Sequence, residues 1–566
     1  MHNHLYTAQG KNLPEIPLNT YPRPTLKRDS FYCLNGKWDF CAGTAGKPEY
    51  NEKIVVPYCP ESLLSGINRT FKKGNVFYYR KTFSLPENFI KNRVLLHFGA
   101  VNQKAQVYLN GEFLGEHIGG YTPFFFEVSH CLRDENILEV RAINDFEDFI
   151  LPYGKQRRKR GGMWYTPASG IWQTVWLESV PGNYIKSVEI KTNLTSAGFI
   201  IEGAQNGEIK IFTPDGELII PFKNGQCKVT LENPKLWSPE EPYLYYCTVT
   251  TDEDTVETYF ALRTLEIAEV KGISRTLLNG RPYFFHGLLD QGYFSDGIFT
   301  PADMCLYEQD IKTAKALGFN MLRKHIKIEP EQFYYDCDRL GMIVFQDMVN
   351  NGNYSFIRDT ALPTVGFNRL PSIFNRRTPS QRVAFFEAME QTVKLLSDHP
   401  SICCWTIFNE GWGQFNTDDM YGLMLSLDNS RFIDTASGWF KTKYNDFESE
   451  HIYFKRVKLR KSKKPIFLSE FGGYSYKPEG HIFNTEKTYG YRLFENREDF
   501  ENALLSLYEN EIIPFIKEGL CATVYTQLTD VEDETNGLIS YDREVVKVDS
   551  ERMNTMADKL FNEILK

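Results

Sequence analysis

The sequence predicts two β-sandwich domains followed by a (β/α)₈ barrel, and two observations predict this order. From about residue 30 to 267, short segments alternate apolar and polar residues between turn signals, which is typical of half-buried strands. From about residue 268 onwards, short apolar runs that indicate buried strands alternate with helical patterns. With 566 residues, the chain is long enough for two to four domains.

Residues 1–182 form the first predicted domain, a β-sandwich. Strand patterns cover 75–83, 93–98, 104–111 and 174–178. The pair Asn110-Gly111 lies between two of them and predicts a hairpin turn with positive φ at both central residues.

Residues 183–267 form the second predicted domain, which also contains only strand patterns, such as 207–212 and 244–250. Its length of about 85 residues is that of a small immunoglobulin-like sandwich. We find no motif in it that suggests chemistry.

Residues 268–566 form the third predicted domain, in which strands and helices alternate. Four helical patterns lie between the strands, and glycines that could end a helix follow two of them, at Gly318 and Gly341. Eight strands in about 300 residues fit a (β/α)₈ barrel with inserted loops. The predicted strands are 282–286, 320–325, 342–347, 402–410, 431–437, 451–454, 466–470 and 522–527, and the helical patterns are 302–317, 330–340, 381–397 and 501–517.

Two of the predicted barrel strands end in a glutamate, namely Glu410 and Glu470. The carboxyl ends of barrel strands are where such folds build their active sites. Most enzymes that cleave a glycosidic bond also use a pair of carboxylic acids as their catalytic groups. The two residues therefore predict a glycoside hydrolase.

Composition argues against several other classes of function. A net charge of −9 does not favour binding to nucleic acid or to an anionic membrane, although 155–160 is a basic run that a solvated loop would explain. No apolar stretch of 18 residues and no signal-peptide pattern is found, and the eleven cysteines lack a C-x-x-C pair. We therefore expect reduced thiols and a cytoplasmic protein. No motif indicates a metal, a nucleotide or another cofactor, so we expect none.

Motifs spread along the chain strengthen the prediction of a glycosidase. In the two sandwiches they are 35–40, 170–178 and 260–266, and in the barrel they are 322–325, 336–341, 405–411 and 469–473. In this order, from about residue 30 to 548, the chain resembles glycoside hydrolase family 2. The resemblance implies a jelly-roll sandwich, an immunoglobulin-like sandwich and a catalytic barrel. It also implies a retaining mechanism, with Glu410 as the general acid/base and Glu470 as the nucleophile.

The resemblance implies further roles for residues that bind the substrate. Arg323 would hold Glu470 in its ionised form, and Asn409 would bind the 2-hydroxyl of the sugar. His325 and Asp347 at strand ends would contact other hydroxyls, and Trp439 and Tyr474 at the rim are further candidates; packing in the core is the competing explanation for these four. The remaining candidates are Tyr525, where relatives often carry tryptophan beneath the sugar, and His451 at the rim.

The choice of sugar is the least determined part of the prediction. In β-glucuronidases an Asn-x-Lys element holds the uronic carboxylate shortly before a stretch that corresponds here to 537–543. This chain has Glu534-Thr535-Asn536 there, without a lysine. We therefore predict a β-galactosidase-like exo-glycosidase for a neutral sugar. The basic run 155–160 is the one substitute for that lysine, if its loop reaches over the barrel mouth.

Other activities remain open. β-Glucuronidase, β-mannosidase and arabinosidase activities share the scaffold. A non-catalytic carbohydrate-binding protein would not need both glutamates together with Asn409 and Arg323. A different barrel enzyme, such as an aldolase or a metal hydrolase, would need a lysine or a metal cluster at the strand tips, and the sequence analysis finds neither. The predicted partner is a carbohydrate, and the chain could assemble into a homo-oligomer.

Overall fold

A computed structural model describes residues 3–145, 147–364, 367 and 377–566. The predicted domains 1–182 and 268–566 also include residues outside these ranges, namely 1–2, 146, 365–366 and 368–376. Within the described residues, two β-sandwiches precede a barrel, so the predicted fold class is confirmed.

The first domain is a jelly-roll sandwich of two antiparallel sheets. A six-stranded sheet has the order β3-β2-β4-β10-β7-β8, and a four-stranded sheet has the order β1-β12-β5-β9. Apolar residues from both sheets, among them Trp38, Phe40 and Leu96, form one core between them. The strands are β1 (Tyr32–Cys33), β2 (Gly36–Gly43), β3 (Glu52–Val56), β4 (Val76–Phe83), β5 (Arg93–Phe98), β6 (Val101–Asn102), β7 (Lys104–Leu109), β8 (Glu112–Ile118), β9 (Phe124–Glu127), β10 (Asn136–Ile143), β11 (Gly170–Ile171) and β12 (Val175–Val180).

The second domain is the predicted immunoglobulin-like sandwich, and a three-stranded sheet then leads to the barrel. The strand Leu265–Val270 crosses the predicted boundary at 267, because it pairs with the strand that follows it rather than with the sandwich. The strands are β13 (Ser187–Thr192), β14 (Ser196–Glu202), β15 (Asn206–Thr213), β16 (Gly216–Lys223), β17 (Gln226–Thr230), β18 (Tyr245–Thr250), β19 (Thr255–Phe260), β20 (Leu265–Val270), β21 (Ile273–Leu278) and β22 (Arg281–Pro282).

The third domain contains an eight-stranded parallel sheet in the order β27-β26-β25-β24-β23-β32-β29-β28. Each of its strands overlaps one of the eight predicted strands. Where β27 and β28 meet, side chains connect them, since Ser449 Oγ donates to Asp434 Oδ2 over 2.9 Å. The strands are β23 (Phe285–Asp290), β24 (Met321–Lys324), β25 (Ile343–Asp347), β26 (Ile402–Asn409), β27 (Phe432–Ser437), β28 (Glu448–Ile452), β29 (Ile466–Gly472), β30 (Tyr474–Tyr476), β31 (Arg492–Phe494) and β32 (Leu520–Thr526).

The barrel helices begin and end where local sequence signals place them. Thr378 and Gln381 form a capping box at the start of α4, and Gly341, with φ of 71°, ends α2. The predicted helix 501–517 begins earlier, where Asn496 accepts a hydrogen bond from the Asp499 amide, and a π-turn divides it. The helices are α1 (Cys305–Ala316), α2 (Glu331–Leu340), α3 (Leu362–Thr364), α4 (Pro379–Leu396), α5 (Thr417–Leu427), α6 (Arg497–Leu507), α7 (Ile513–Ile516) and α8 (Ser550–Leu565).

The jelly roll packs directly on the barrel. Its buried aromatic residues Tyr153, Tyr165 and Trp172 belong to the same apolar cluster as the barrel residues Phe299 and Trp412. Burial of such rings is worth roughly 25 cal/mol for each Å² of apolar surface removed from water. The first domain is therefore held against the barrel mouth by a shared core.

Two properties bear on the cellular setting. All eleven cysteines are free thiols, most of them buried. Among the described residues, no helix is both long enough and apolar enough to span a bilayer.

Candidate active site

The two strand-tip glutamates lie on either side of one histidine. His451 Nδ1 is 2.8 Å from Glu410 Oε1, and its Nε2 is 3.7 Å from Glu470 Oε1. One oxygen of each glutamate and one nitrogen of His451 all lie within 4.8 Å of one another. The predicted pair, Glu410 and Glu470, is thus brought together over one end of the barrel.

The backbone at Glu410 has an unusual conformation. Glu410 follows the last residue of β26 and has φ of 52°, a left-handed conformation that is uncommon outside glycine. Its amide donates to the Ser437 carbonyl on β27 over 3.0 Å, which holds the turn in place. The Glu410 side chain is 19% exposed and that of Glu470 is 7% exposed, so the two carboxyls differ in their access to water.

Arg323 connects the site residues of four strands. Its guanidinium is fully buried on β24 and makes two hydrogen bonds to Asp347, of 2.9 and 3.1 Å. It also donates to Glu470 Oε1 over 3.2 Å and to Asn409 Oδ1 over 2.8 Å. Because arginine only donates, the Asn409 oxygen must face it, and the Asn409 NH₂ group is oriented elsewhere.

The surroundings of Glu470 favour its ionised form. Burial raises the pKa of this carboxyl, but nearby positive charge from His451, His325 and Arg323 outweighs burial and lowers the pKa to about 2. Burial and Lys155 keep the pKa of His325 well below its ordinary value, so His325 is uncharged at neutral pH, whereas Arg323 beside Glu470 keeps its positive charge. Glu470 is therefore an anion throughout the physiological range.

His325 and Asp347 support this arrangement from below. His325 Nδ1 is 2.7 Å from Asp347 Oδ2, and both residues are buried. Since His325 is neutral, a proton on Nδ1 satisfies the carboxylate and leaves Nε2 as an acceptor. Asp347 also receives both hydrogen bonds from Arg323, so it orients two residues of the site at once.

Tyr453 is a site residue that the sequence analysis did not identify. Its hydroxyl donates to Glu470 Oε2 over 2.6 Å and lies 2.8 Å from Thr526 Oγ1. The ring of Tyr491 stacks on it with 3.9 Å between the ring centres. A signal was present, because Tyr453 lies two residues after His451 and such residues share one face of a strand.

The remaining aromatic candidates lie at different distances from this centre. Trp439 is half-buried, with its ring 6.1 Å from that of His451. Tyr474 packs 5.5 Å from Phe494, on the short sheet outside the barrel. Tyr525 is completely buried against Phe471, so its ring has no exposed face to offer a sugar.

The basic run 155–160 lies against the barrel rather than in solvent. Arg160 is close to Glu532 and Asp533, at 3.3 and 3.2 Å, and only Lys159 is classed as exposed. The expectation of a solvated loop was wrong, because the carboxylates of the segment after β32 attract this run. The charge of Lys155, at the start of this run, acts on Glu470 and His325 and lowers the pKa of both.

Other chemistry at the strand tips is less well supported. The carboxylates of Glu410 and Glu470 and the ring of His451 are close enough to hold a metal ion, but the Arg323 cation already occupies one side of Glu470. The statement that the strand tips carry no lysine was wrong, since Lys324 ends β24. Its ammonium group pairs with Asp290 at 2.5 Å and with Glu329 at 2.9 Å, so it is not available as a nucleophile.

The order of domains and the paired carboxylates define a glycoside hydrolase with a catalytic barrel. Three family models match the chain: the sugar-binding domain of glycosyl hydrolases family 2 over residues 63–181, a second domain of that family over 177–263, and its TIM barrel domain over 268–545. The chain belongs to glycoside hydrolase family 2.

Named relatives and solved structures agree with this assignment. A β-galactosidase of Thermoanaerobacter pseudethanolicus is 28% identical over 301 residues, which is 48% of this chain and 39% of that protein. A β-glucuronidase of Streptococcus agalactiae is 25% identical over 426 residues, 69% of this chain and 68% of that protein. The structure of a β-D-glucuronidase from Dictyoglomus thermophilum has a TM-score of 0.75 at 20% identity, over 95% of this chain and 99% of that one.

Two further facts concern the lengths and the names of these relatives. This chain covers well under two thirds of the galactosidase's length. Several other related proteins are named β-glucuronidase, including those of cat, mouse and human.

Proposed function

We propose that this protein is a retaining exo-glycosidase that removes a terminal β-linked sugar, and that this sugar is a hexuronic acid. The observation that carries the mechanism is the short separation of Glu410 and Glu470, together with the ionised state of Glu470. Retaining glycosidases place their carboxyl groups about 5–5.5 Å apart, whereas inverting enzymes need a wider gap for water.

In the first step, the Glu470 carboxylate attacks the anomeric carbon while Glu410 gives a proton to the departing glycosidic oxygen. The bond to the leaving group breaks as the bond to Glu470 forms. Tyr453 and Arg323 each hold one oxygen of Glu470, which limits its rotation and aims it at the sugar.

In the second step, Glu410 accepts a proton from a water molecule that attacks the glycosyl-enzyme intermediate. The bond to Glu470 breaks, and the sugar leaves with its original configuration. His451 Nδ1 contacts one oxygen of Glu410, so the other oxygen can carry the proton in both steps. The NH₂ group of Asn409 is the donor that would bind the sugar 2-hydroxyl.

The identity of the sugar departs from the sequence prediction of a neutral galactoside. The alternative, a glucuronidase, is favoured by the names of several relatives and by the structure around the barrel mouth. The missing Asn-x-Lys element argues less strongly against it, because the charge of Lys155, a jelly-roll residue, acts on Glu470 and Glu534.

Covalent labelling tests the mechanism. A panel of aryl β-glycosides identifies the sugar that is cleaved, and the 2-deoxy-2-fluoro fluoride of that sugar should then inactivate the enzyme with one label per chain. Peptide mass spectrometry should place the label on Glu470. The Glu470→Gln variant, which keeps the shape of the side chain, should remain unlabelled. A label on another residue, or a product of inverted configuration by proton NMR, would contradict the proposal.

A further inference from the structure

The loop that carries Lys155 is fastened to the barrel on its N-terminal side. The Tyr153 amide donates to the Asn350 carbonyl over 3.1 Å, and the Tyr153 hydroxyl donates to the Gly352 carbonyl over 2.7 Å. Gly154 has φ of 65°, and a Cβ there would come within 3.0 Å of the Ile326 carbonyl oxygen. Glycine thus permits a close approach to the segment that follows β24, and Lys155 is the next residue.

The loop is also held from the other side. The Tyr165 amide donates to the Lys155 carbonyl over 2.9 Å. Gln156 is buried and donates to the Tyr121 hydroxyl, while its oxygen accepts from the Ala168 amide over 2.8 Å. These contacts hold the backbone of Lys155 in place on both sides of the residue.

The charge of Lys155 acts on three groups at the barrel mouth, namely His325, Glu534 and Glu470. Burial lowers the pKa of His325, and Lys155 lowers it further. Burial raises the pKa of Glu534, and Lys155 opposes that rise, as it does for Glu470. The ammonium lies 5.9 Å from the centre of the Tyr165 ring, and within the described part of the chain no hydrogen bond or ion pair of this group is found. Its three N–H donors remain available to a ligand.

A second donor lies beside it. Gln527 Nε2 donates to Glu534 Oε2 over 3.0 Å and to Asn536 Oδ1 over 2.8 Å, which places Asn536 next to Glu534. Asn536 is 1% exposed, and its Nδ2 has no hydrogen-bond partner among the described residues. Leaving a buried donor unpaired is costly, so this NH₂ group calls for an acceptor.

We propose that Lys155, together with Asn536, binds the carboxylate of a hexuronide substrate, and that Lys155 therefore determines specificity across the domain boundary. A uronic carboxylate loses its hydration when it is buried, so it needs a cation and donors in return. Glu534 occupies the position where the resemblance implies the asparagine of a barrel-borne motif, and it attracts Lys155 to this side of the mouth. This inference rests on the proposed function for its substrate, but not for its binding test.

Binding of free sugars tests it without catalysis. D-glucuronate and D-galacturonate are titrated calorimetrically into the wild-type protein and into Lys155→Met, with D-glucose and D-galactose as neutral counterparts. We expect at least one uronate to bind the wild type, and Lys155→Met to weaken its binding at least tenfold. Binding of neutral sugars should change less than threefold. Equal binding of uronate and neutral sugar, or unchanged binding by Lys155→Met, overturns the inference.

Hydrolysis provides the second readout. We expect Lys155→Met to lower kcat/KM at least 100-fold for the aryl β-uronide and less than fivefold for a neutral aryl β-glycoside. Lys159→Met, an exposed lysine of the same loop, is the matched control and should behave as wild type. Thermal melting of each variant reports its folding. Equal losses on both substrates would mean that Lys155 serves Glu470 rather than the carboxylate. Failure of the labelling experiment at Glu470, by contrast, would overturn the mechanism and leave the sugar-binding result standing.

Discussion

Glu410 and Glu470 have different surroundings although each ends an apolar strand. Glu470 is held by Tyr453 and Arg323 and is almost fully buried, while Glu410 contacts His451 and is more open to water. A nucleophile must stay ionised and an acid must exchange its proton with solvent. The two environments match these two tasks.

Replacing Glu410 with alanine removes the proposed proton donor. General acid–base assistance is typically worth about 10²–10⁴-fold in rate. We expect losses of that order on substrates with poor leaving groups and much smaller losses on activated aryl glycosides, measured as kcat/KM. Azide should restore turnover and yield a β-glycosyl azide. Equal losses on both kinds of substrate would show that Glu410 is not the acid.

Tyr453 is a positioning residue for Glu470. The Tyr453→Phe variant loses the 2.6 Å hydrogen bond to the carboxylate but keeps the ring that stacks on Tyr491. A hydrogen bond to a charged group is worth about 1.5–3 kcal/mol, so we expect kcat to fall on the order of 10–100-fold. The rate of labelling by the fluorinated inactivator should fall in parallel. Thr526→Val, which leaves the bond to Glu470 in place, should have a smaller effect; an effect as large as that of Tyr453→Phe would contradict this role.

At the scale of elements, apolar strands were predictable and polar ones were less so. All eight residues of β26 are buried, and the predicted strand 402–410 matches it within one residue. β28 begins at Glu448, three residues before its predicted start, because Ser449 and Glu450 do not look like a buried strand. Ser449 instead donates a hydrogen bond to Asp434, where β28 meets β27. Sequence alone does not reveal this contact.

Among the candidate site residues, too, some were predictable from the sequence and others were not. Glu410, Glu470, Arg323 and Asn409 lie at strand ends, whose common edge brings them together in any barrel of this kind. The reach of Lys155 depended on how a loop packs on another domain, which no local pattern determines. The available clue was its basic character.

A buried network joins the immunoglobulin-like sandwich to the barrel. The Tyr259 hydroxyl on β19 donates to Asp338 Oδ2 on α2 over 2.7 Å, and the Trp237 indole donates to the Asp338 carbonyl over 2.7 Å. Tyr259→Phe leaves a buried carboxylate with one donor fewer. We therefore expect the free energy of unfolding to fall by about 1–3 kcal/mol.

Urea unfolding followed by circular dichroism measures this change, and kcat should stay within twofold of wild type. Tyr246→Phe is the matched control, because Tyr246 lies on the neighbouring strand with 44% of its surface exposed. A loss of stability as large in Tyr246→Phe would show that the network is not its source.

At the scale of the whole molecule, buried histidines make stability depend on pH. Burial lowers the pKa of His97 and of His286 from 6.5 to about 4. The unfolded chain therefore binds protons that the folded chain excludes, so stability is fully present above about pH 6.5 and is lost as the pH falls toward 4. Each group contributes on the order of 1.4 kcal/mol per pH unit.

We expect His97 and His286 together to lower the free energy of unfolding by several kcal/mol between pH 7 and pH 5, a share that urea titrations of wild type and variants at both values measure. His286→Gln should reduce this difference by its share, roughly 2 kcal/mol. His4→Gln, which changes an exposed histidine, should leave the difference unchanged. A difference that His286→Gln does not alter would mean that His286 is not a source of it.

Because the loop of residues 153–156 lies far from the barrel strands in the sequence, substrate recognition and catalysis can change separately in evolution. The groups proposed to break the glycosidic bond are encoded in the second half of the chain, whereas the lysine proposed to recognise the sugar is encoded in the first third. A substitution at residue 155 can therefore change which sugar is recognised, while the proposed catalytic residues of the barrel stay unchanged. A recombination point between the two segments would exchange the cation at residue 155, while Asn536 and the two glutamates would stay together in the barrel.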